Sequence, residues 1–291
     1  MNYRHAFHAG NFADVVKHTI LTRILAYLMK KDAAFRVIDT HAGIGLYDLL
    51  SSEAERTGEW QAGIARLIDA KLPAPVAQLL APYLGAVRAQ NGDGRLRYYP
   101  GSPMITRHML RPQDRLMALE LHPTDAWALR KNFADDFQVR VTTLDGWAAM
   151  GTHLPPKEKR GLVLVDPPFE EKGEFTRMAQ SLEKAHARWP GGIYAYWYPI
   201  KEPREVDAYI KALKGTRIPK ILRIELTIDN PTTPPRLHGT GMVVVNPPYV
   251  LEQELRTVMP VLTNLLSDEG RGRWSVEWVA GERGVISELN K

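Results

Sequence analysis

Seven short apolar runs separated by stretches of helical periodicity constrain this chain more than any other feature. They are FRVID (35–39), RLMALELH (115–122), VRVTTLDG (139–146), RGLVLVDPPF (160–169), GIYAYWYP (192–199), ILRIELTI (221–228) and GMVVVNPPY (241–249). Strands alternating with helices form βαβ units with right-handed crossovers, which predicts an α/β fold with a doubly wound, seven-stranded sheet. Ligands of such sheets bind outside the carboxyl ends of the strands. Asn11 caps a predicted helix over 13–29, in which Val15, Val16, Ile20, Ile24 and Leu28 recur at helical spacing. Ser102-Pro103 reads as a helix start, and further helices are expected over 123–133, 172–188, 202–213 and 251–266. Residues 50–97 show no strand pattern. They read as helices over 59–70 and 75–89 and a turn at NGDG (91–94), hence as a small inserted helical subdomain. The expected division is 1–49 (N-terminal helix and first βα unit), 50–97 (insertion) and 98–291 (remainder of the core).

The 291 residues carry 38 Lys+Arg against 33 Asp+Glu, a net charge of +5, and contain no cysteine. A 44% hydrophobic and 24% charged composition is globular, excluding collagen-like, disordered and disulfide-scaffold chains. The missing cysteines remove zinc-thiolate sites, iron–sulfur clusters and thiol nucleophiles, and fit a reducing compartment. The nine histidines show no HExxH-like spacing, so no metal is predicted. No apolar run approaches the roughly 18–20 residues that span a bilayer, and the N-terminus lacks the apolar core of a secretory signal. A cytoplasmic protein without a membrane partner is expected. Residues 1–36 hold Arg4, Lys17, Arg23, Lys30, Lys31 and Arg36 against Asp14 and Asp32, a local surplus of 6 − 2 = +4 that points to a polyanionic partner at this end.

Three motifs carry chemistry. Asp39-Thr-His-Ala-Gly43-Ile-Gly45 follows the first strand, where glycines admit close approach of a ligand and an acid receives hydroxyl or ammonium groups. It lacks GxGxxG and an acid about twenty residues on, so a dinucleotide site is not indicated. The next strand ends in Glu120, placed to grip a ribose diol. Asp166-Pro-Pro-Phe169 ends the fourth strand. An amino group on an aromatic base is a poor nucleophile, because its lone pair is delocalised into the ring. A carboxylate and the Pro167 carbonyl would accept its N–H groups while Phe169 stacks on the flipped base. Asn246-Pro-Pro-Tyr249 is a second such tetrapeptide. The plainer alternative for Asp166 is a helix cap before a rigid Pro-Pro turn.

With these motifs the chain resembles the Rossmann-like, S-adenosylmethionine-dependent methyltransferases that modify amino groups, and more closely the family of bacterial 23S ribosomal RNA adenine-N6 methyltransferases. Matching stretches include YRHAFHAGNFADVVKH (3–18), DTHAGIG (39–45), AERTGEW (54–60), RYYPGSP (97–103), ELHP (120–123), DG (145–146), GLVLVDPPF (161–169), GIYAYWYP (192–199) and GMVVVNPPY (241–249). The resemblance implies methyl transfer from S-adenosylmethionine to N6 of an adenine in 23S rRNA, protein-free or in an early assembly intermediate, by a monomer. It implies cofactor contacts from Lys17 and His18 closing over the ligand, His41 at the methionine end, Gly43 and Ser102 at the site, Glu120 on the ribose, Asp145-Gly146 around the adenine, and Asp166. It makes Asp166 the catalytic acceptor, Pro167 and Phe169 contacts to the target base, and Tyr3 a contact to RNA. Related enzymes often carry Tyr in place of Phe169, so stacking is retained without a hydroxyl. In the strand order of such sheets the last strand is antiparallel, which sends Asn246 to the edge away from the ligand.

Each singled-out residue also has a plainer reading: satisfied core histidines for His18 and His41, a helix cap for Ser102, a turn residue for Asp145. Trp197 and Tyr198 end a strand at the ligand edge and read as core. The basic runs at 157–160 and 211–223 read as solvated surface. A DNA-adenine or protein-glutamine methyltransferase, or a non-catalytic RNA-binding protein on the same scaffold, remain as alternatives.

Overall fold

A computed structural model describes residues 4–268, 270–282 and 284–285. The chain opens with α1 (Phe12–Leu28), β1 (Arg36–Asp39) and β2 (Leu46–Asp48). Then come α2 (Ser52–Thr57), α3 (Ile64–Ile68), α4 (Ala74–Ala89), β3 (Tyr98–Pro100), α5 (Ser102–Met109), β4 (Arg115–Leu119) and α6 (Pro123–Asn132). The second half holds β5 (Val139–Thr142), α7 (Gly146–His153), β6 (Gly161–Val165), α8 (Glu174–Arg188), β7 (Ile193–Ile200) and α9 (Pro203–Gly215). It ends with β8 (Ile221–Thr227), β9 (Gly239–Val245), α10 (Leu251–Leu266), β10 (Arg273–Gly281) and β11 (Gly284–Val285).

The α/β sheet is as expected and wider. Its order is β11-β10-β8-β9-β7-β6-β1-β4-β5, in which the seven expected strands are consecutive neighbours. β5, β4, β1, β6 and β7 run parallel, and β9 runs antiparallel between β7 and β8. The closing segment around Trp274 is a strand, β10, added antiparallel to β8. Because β4 and β6 flank β1 on opposite sides, the connection reverses direction at β1, and this is where a ligand crevice opens. The carboxyl ends of those strands bring Asp39, Glu120 and Asp166 to one edge.

Alternation along each strand explains the two-sided core. Val37, Leu116, Leu162, Leu164 and Val244 face α1, α4, α5 and α10, whereas Ile38, Met117, Val163, Val165 and Val245 face α7, α8 and α9. α1 is capped as read: Asn11 Oδ1 accepts from the Asp14 N–H at 3.0 Å. It is buried on nearly all sides within the first core.

Residues 50–97 are helical, and their ends are pinned by an antiparallel ribbon of β2 and β3 in which Tyr47 pairs with Tyr99. Three-residue strands are too short for alternation to be legible. The helix expected over 59–70 is instead a 3-10 turn and α3, divided where the Ile64 N–H bonds to the Gly10 carbonyl at 2.8 Å. The strand expected over 139–146 stops at Thr142, and Asp145 caps α7 through the Trp147 N–H at 2.9 Å.

Asn246 lies at the opposite end of the sheet from Asp166, because Val245 pairs with Tyr194 and Ile221 near the amino ends of β7 and β8. Its amide donates to the carbonyls of Pro190 and Gly192, both at 2.8 Å, and its φ is +52°. Asn246→Ala loses both bonds and places alanine in a left-handed backbone, so urea denaturation should show a loss of roughly 1–3 kcal/mol.

Candidate active site

The crevice is a cavity of about 730 Å³. His41, Gly43, Ser102, Glu120, Asp145, Gly146, Asp166, Pro167, Lys17 and His18 all line it. Backbone turns set the walls. Gly43 has φ +61°, and a Cβ there would stand 2.2 Å from the Tyr47 hydroxyl; a Cβ on Gly146 would stand 2.2 Å from the Thr40 carbonyl. Glu120 is held by two backbone N–H groups, from Gly43 at 2.9 Å and His122 at 2.8 Å. Burial raises its pKa. Ser102 is the first residue of α5 rather than its cap, which is Gly101, and its hydroxyl donates to Asp39 at 2.6 Å. Asp145 is the α7 cap and a wall residue at once.

Lys17 is the structural centre of the site. Its ammonium sits 2.8 Å from Asp14 Oδ1 and 2.5 Å from Asp166 Oδ2, with 5% of the side chain exposed. Asp166 is therefore an ion-paired wall group and not a helix cap. Burial alone would lower the Lys17 pKa, but the two carboxylates raise it well above the ordinary lysine value. Burial would raise Asp14, yet His5 and Lys17 hold it well below the usual carboxylate range. Asp39 is fully buried, and burial together with nearby Asp166 pushes its carboxyl up to about 7 against the opposing hydrogen bond from Ser102.

Burial pushes both cavity histidines down, His18 to about 3 and His41 to about 4, so both are neutral rings. His18 Nδ1 meets the Tyr99 hydroxyl at 2.6 Å, and His41 Nδ1 meets Thr40 Oγ1 at 2.8 Å. Phe169 does not line the cavity. With φ +52° its ring is half-buried against Phe175 (5.0 Å) and Trp197 (5.9 Å between centroids). The expected contact at Tyr3 lies outside the described residues.

Residue reading alone missed Asp14, Arg177, Tyr83 and Tyr99. Asp14 had a signal, its i,i+3 spacing to Lys17 on one helix face; the others reach the site only through long-range packing. The basic surplus of residues 1–36 is largely consumed inside the molecule. Lys17 is buried, Arg23 makes two bonds to Glu254 (2.8 and 2.9 Å), and Arg36 does the same with Glu158. Arg4, 43% exposed, lies 3.5 Å from Glu53. The run at 211–223 is also partly internal, since Arg223 pairs with Glu225 at 2.7 Å.

The cavity wall is acidic: Glu120, Asp125, Asp145, Asp166, Glu170, Glu171 and Glu174 stand against Lys17 and Arg177. That balance disfavours a polyphosphate and fits a ligand bearing sulfonium and ammonium charges. Buried His18 Nε2, Asp39 Oδ1 and Glu174 Oε2 have no hydrogen-bond partner among the described residues, so donors and acceptors await a polar ligand. Fold and cavity together define an S-adenosylmethionine-dependent methyltransferase. A family model described as RsmJ, "Ribosomal RNA large subunit methyltransferase D, RlmJ", matches residues 32–280. The ribosomal RNA large subunit methyltransferases J of Haemophilus influenzae and of Escherichia coli are each 43% identical, covering 97% of this chain and all of theirs. The crystal structure of protein LPL1258 from Legionella pneumophila superposes with a TM-score of 0.86 at 35% identity, over 95% of this chain and 99% of that one. The chain belongs to the ribosomal RNA large subunit methyltransferase J family.

The neutral histidines carry a pH signature. Their folded pKa values lie below the ordinary 6.5, so the unfolded chain binds more protons as pH falls. Stability present above about 6.5 is lost progressively toward about 4. Urea unfolding free energies across that window should fall less steeply for His41→Gln than for the unsubstituted chain. Asp39 acts in the opposite sense over the same window and is common to both proteins.

Proposed function

We propose that this enzyme transfers a methyl group directly to N6 of an adenine in 23S ribosomal RNA. The observation that carries the reading is Asp166-Pro167 at the carboxyl end of β6, set in an acid-lined cavity at the β1 switch point. Support for the RNA comes from the family, whose curated members from Haemophilus influenzae and Escherichia coli are named for large-subunit ribosomal RNA.

S-adenosylmethionine, when bound, supplies an electrophilic methyl on a sulfonium. The chain's own residues do the rest. Glu120 takes the ribose hydroxyls, Gly43 and Gly146 let the backbone close on the ligand, and Asp145 borders its adenine. Ser102, His41, Lys17 and His18 surround the methionine end. Asp166 has one oxygen fixed by Lys17, which orients the second, Oδ1, toward the target amine. That oxygen and the Pro167 carbonyl accept the two N–H groups, localising the nitrogen lone pair, and Asp166 provides the route for the departing proton. Phe169, braced edge-on by Phe175 and Trp197, offers a ring face to the unstacked base. No covalent enzyme intermediate is needed, so the rate comes from positioning and electrostatics.

The reading includes a monomeric, cytoplasmic enzyme acting on protein-free or early-assembly rRNA. It includes residues 50–97 as a lobe inserted into a core made of 1–49 and 98–291. RNA docks through Tyr3 and Arg4 beside the cavity mouth. Because α1 is part of the core, closure over the cofactor falls to the short segment preceding it.

Transfer of labelled methyl groups to protein-free 23S rRNA, to DNA and to assembled subunits decides among substrates, with protein-free rRNA expected to be labelled. A folded protein that binds the cofactor but labels no RNA overturns the assignment. Asp166→Asn should lower kcat by about 10²–10³, while Asn246→Ala leaves it unchanged.

A further inference from the structure

Tyr83 on α4 and Tyr99 on β3 are fully buried, and neither takes part in the chemistry described above. Their hydroxyls are 2.9 Å apart, and that of Tyr99 is 2.6 Å from His18 Nδ1. The other ring nitrogen, His18 Nε2, is buried at the cavity wall with no partner.

The direction of this hydrogen-bond chain follows from its far end. Tyr83 bonds to Tyr99 and to no other group among the described residues. If His18 Nδ1–H donated outward, Tyr99 would donate to Tyr83, and the Tyr83 O–H would be a buried donor with nothing to receive it. If Tyr83 donates to Tyr99 and Tyr99 to His18 Nδ1, every hydroxyl proton is used and only lone pairs stay unfilled, the less costly outcome. The His18 proton then resides on Nε2, facing the cavity.

A donor is what this cavity lacks. Lys17 is held by Asp14 and Asp166, and Arg177 by Glu171 and Glu174, each at 3.2 Å. The α-carboxylate of the cofactor accepts hydrogen bonds only, and seven wall carboxylates repel it. His41 has the opposite polarity. Thr40 Oγ1 donates to the Leu164 carbonyl at 3.0 Å, so His41 Nδ1–H donates to Thr40 and Nε2 keeps its lone pair.

We propose that Tyr99, backed by Tyr83, is a positioning residue that holds His18 as its Nε2–H tautomer, a neutral donor for the cofactor's carboxylate. The inserted lobe thereby sets the polarity of the methionine end of the site. This rests on the cofactor reading, and its first test does not need the cofactor.

Nitrogen-15 spectra of histidine-labelled protein, with His18 and His41 assigned by their Gln variants, report each tautomer in the ligand-free state. The expected result is Nε2–H for His18 and Nδ1–H for His41; Nδ1–H on His18 overturns the proposal. Calorimetric titration then compares S-adenosylmethionine with its decarboxylated form. Tyr99→Phe should raise the Kd of S-adenosylmethionine about ten-fold, the size of one lost hydrogen bond to a charged group, and leave that of the decarboxylated form within about two-fold. Tyr83→Phe, which keeps the Tyr99 donor, should change both less. An equal loss for the two ligands in Tyr99→Phe means a merely structural role and overturns the proposal. Should Tyr99→Phe fail to fold, the tautomer of the unsubstituted protein decides. Absence of binding by the unsubstituted protein overturns the cofactor reading instead, with the tautomer result standing by itself.

Discussion

An ammonium buried between two carboxylates organises this molecule. Lys17 on α1 touches Asp14 one turn earlier and Asp166, 149 residues away at the end of β6. Desolvating three charges is costly, and the arrangement holds because each partner is also fixed. Asp14 receives the Gly10 N–H at 2.8 Å and His5 at 2.9 Å, and Asp166 is locked by the two prolines that follow it. Removing a member leaves an uncompensated buried charge, a loss of about 3–5 kcal/mol in comparable pairs. The triad thus ties the N-terminal helix to the reactive edge of the sheet and gives Asp166 one orientation.

The same burial that makes the triad strong makes the rest of the site neutral. His18 and His41 are driven to their uncharged forms and Asp39 toward its protonated one. Charge is reserved for the wall carboxylates, which favour a cationic ligand over a neutral one of the same shape. Loss of the sulfonium charge on methyl transfer weakens that attraction, so the electrostatics that gather the substrate cofactor also help to release its product.

Two tetrapeptides, Asp166-Pro-Pro-Phe169 and Asn246-Pro-Pro-Tyr249, show how much position matters. Both follow buried strands and both place a residue at positive φ, Phe169 in one and Asn246 in the other. Strand direction separates them: β6 is parallel to β1 and delivers its carboxyl end to the crevice, whereas β9 is antiparallel and delivers its own to the opposite edge. Asn246 ties down the turn before β7 there. The Tyr249 ring, 81% exposed, packs edge-on to Tyr27.

Period-two and period-3.6 patterns in the sequence determined the seven core strands, α1 with its Asn11 cap, and α10 to the residue, because those elements are long and two-sided. DTHAGIG, Glu120 and DPPF were legible as site residues because they sit at strand ends, where topology converts sequence position into spatial position. The ribbon of β2 and β3, the break at Gly63 and the start of α7 were not, since elements of a few residues carry no period. Charge misled for a related reason: counting placed a +4 surplus at the N-terminus, but Lys17, Arg23 and Arg36 spend their charge on Asp166, Glu254 and Glu158, partners 122 to 231 residues distant. Only the tertiary structure decided which basic groups are internal, that Phe169 is braced by Phe175 and Trp197, and that two tyrosines from the lobe stand behind His18. Hydrogen bonds and ion pairs act over a few ångströms, and the chain brings their partners that close only by folding.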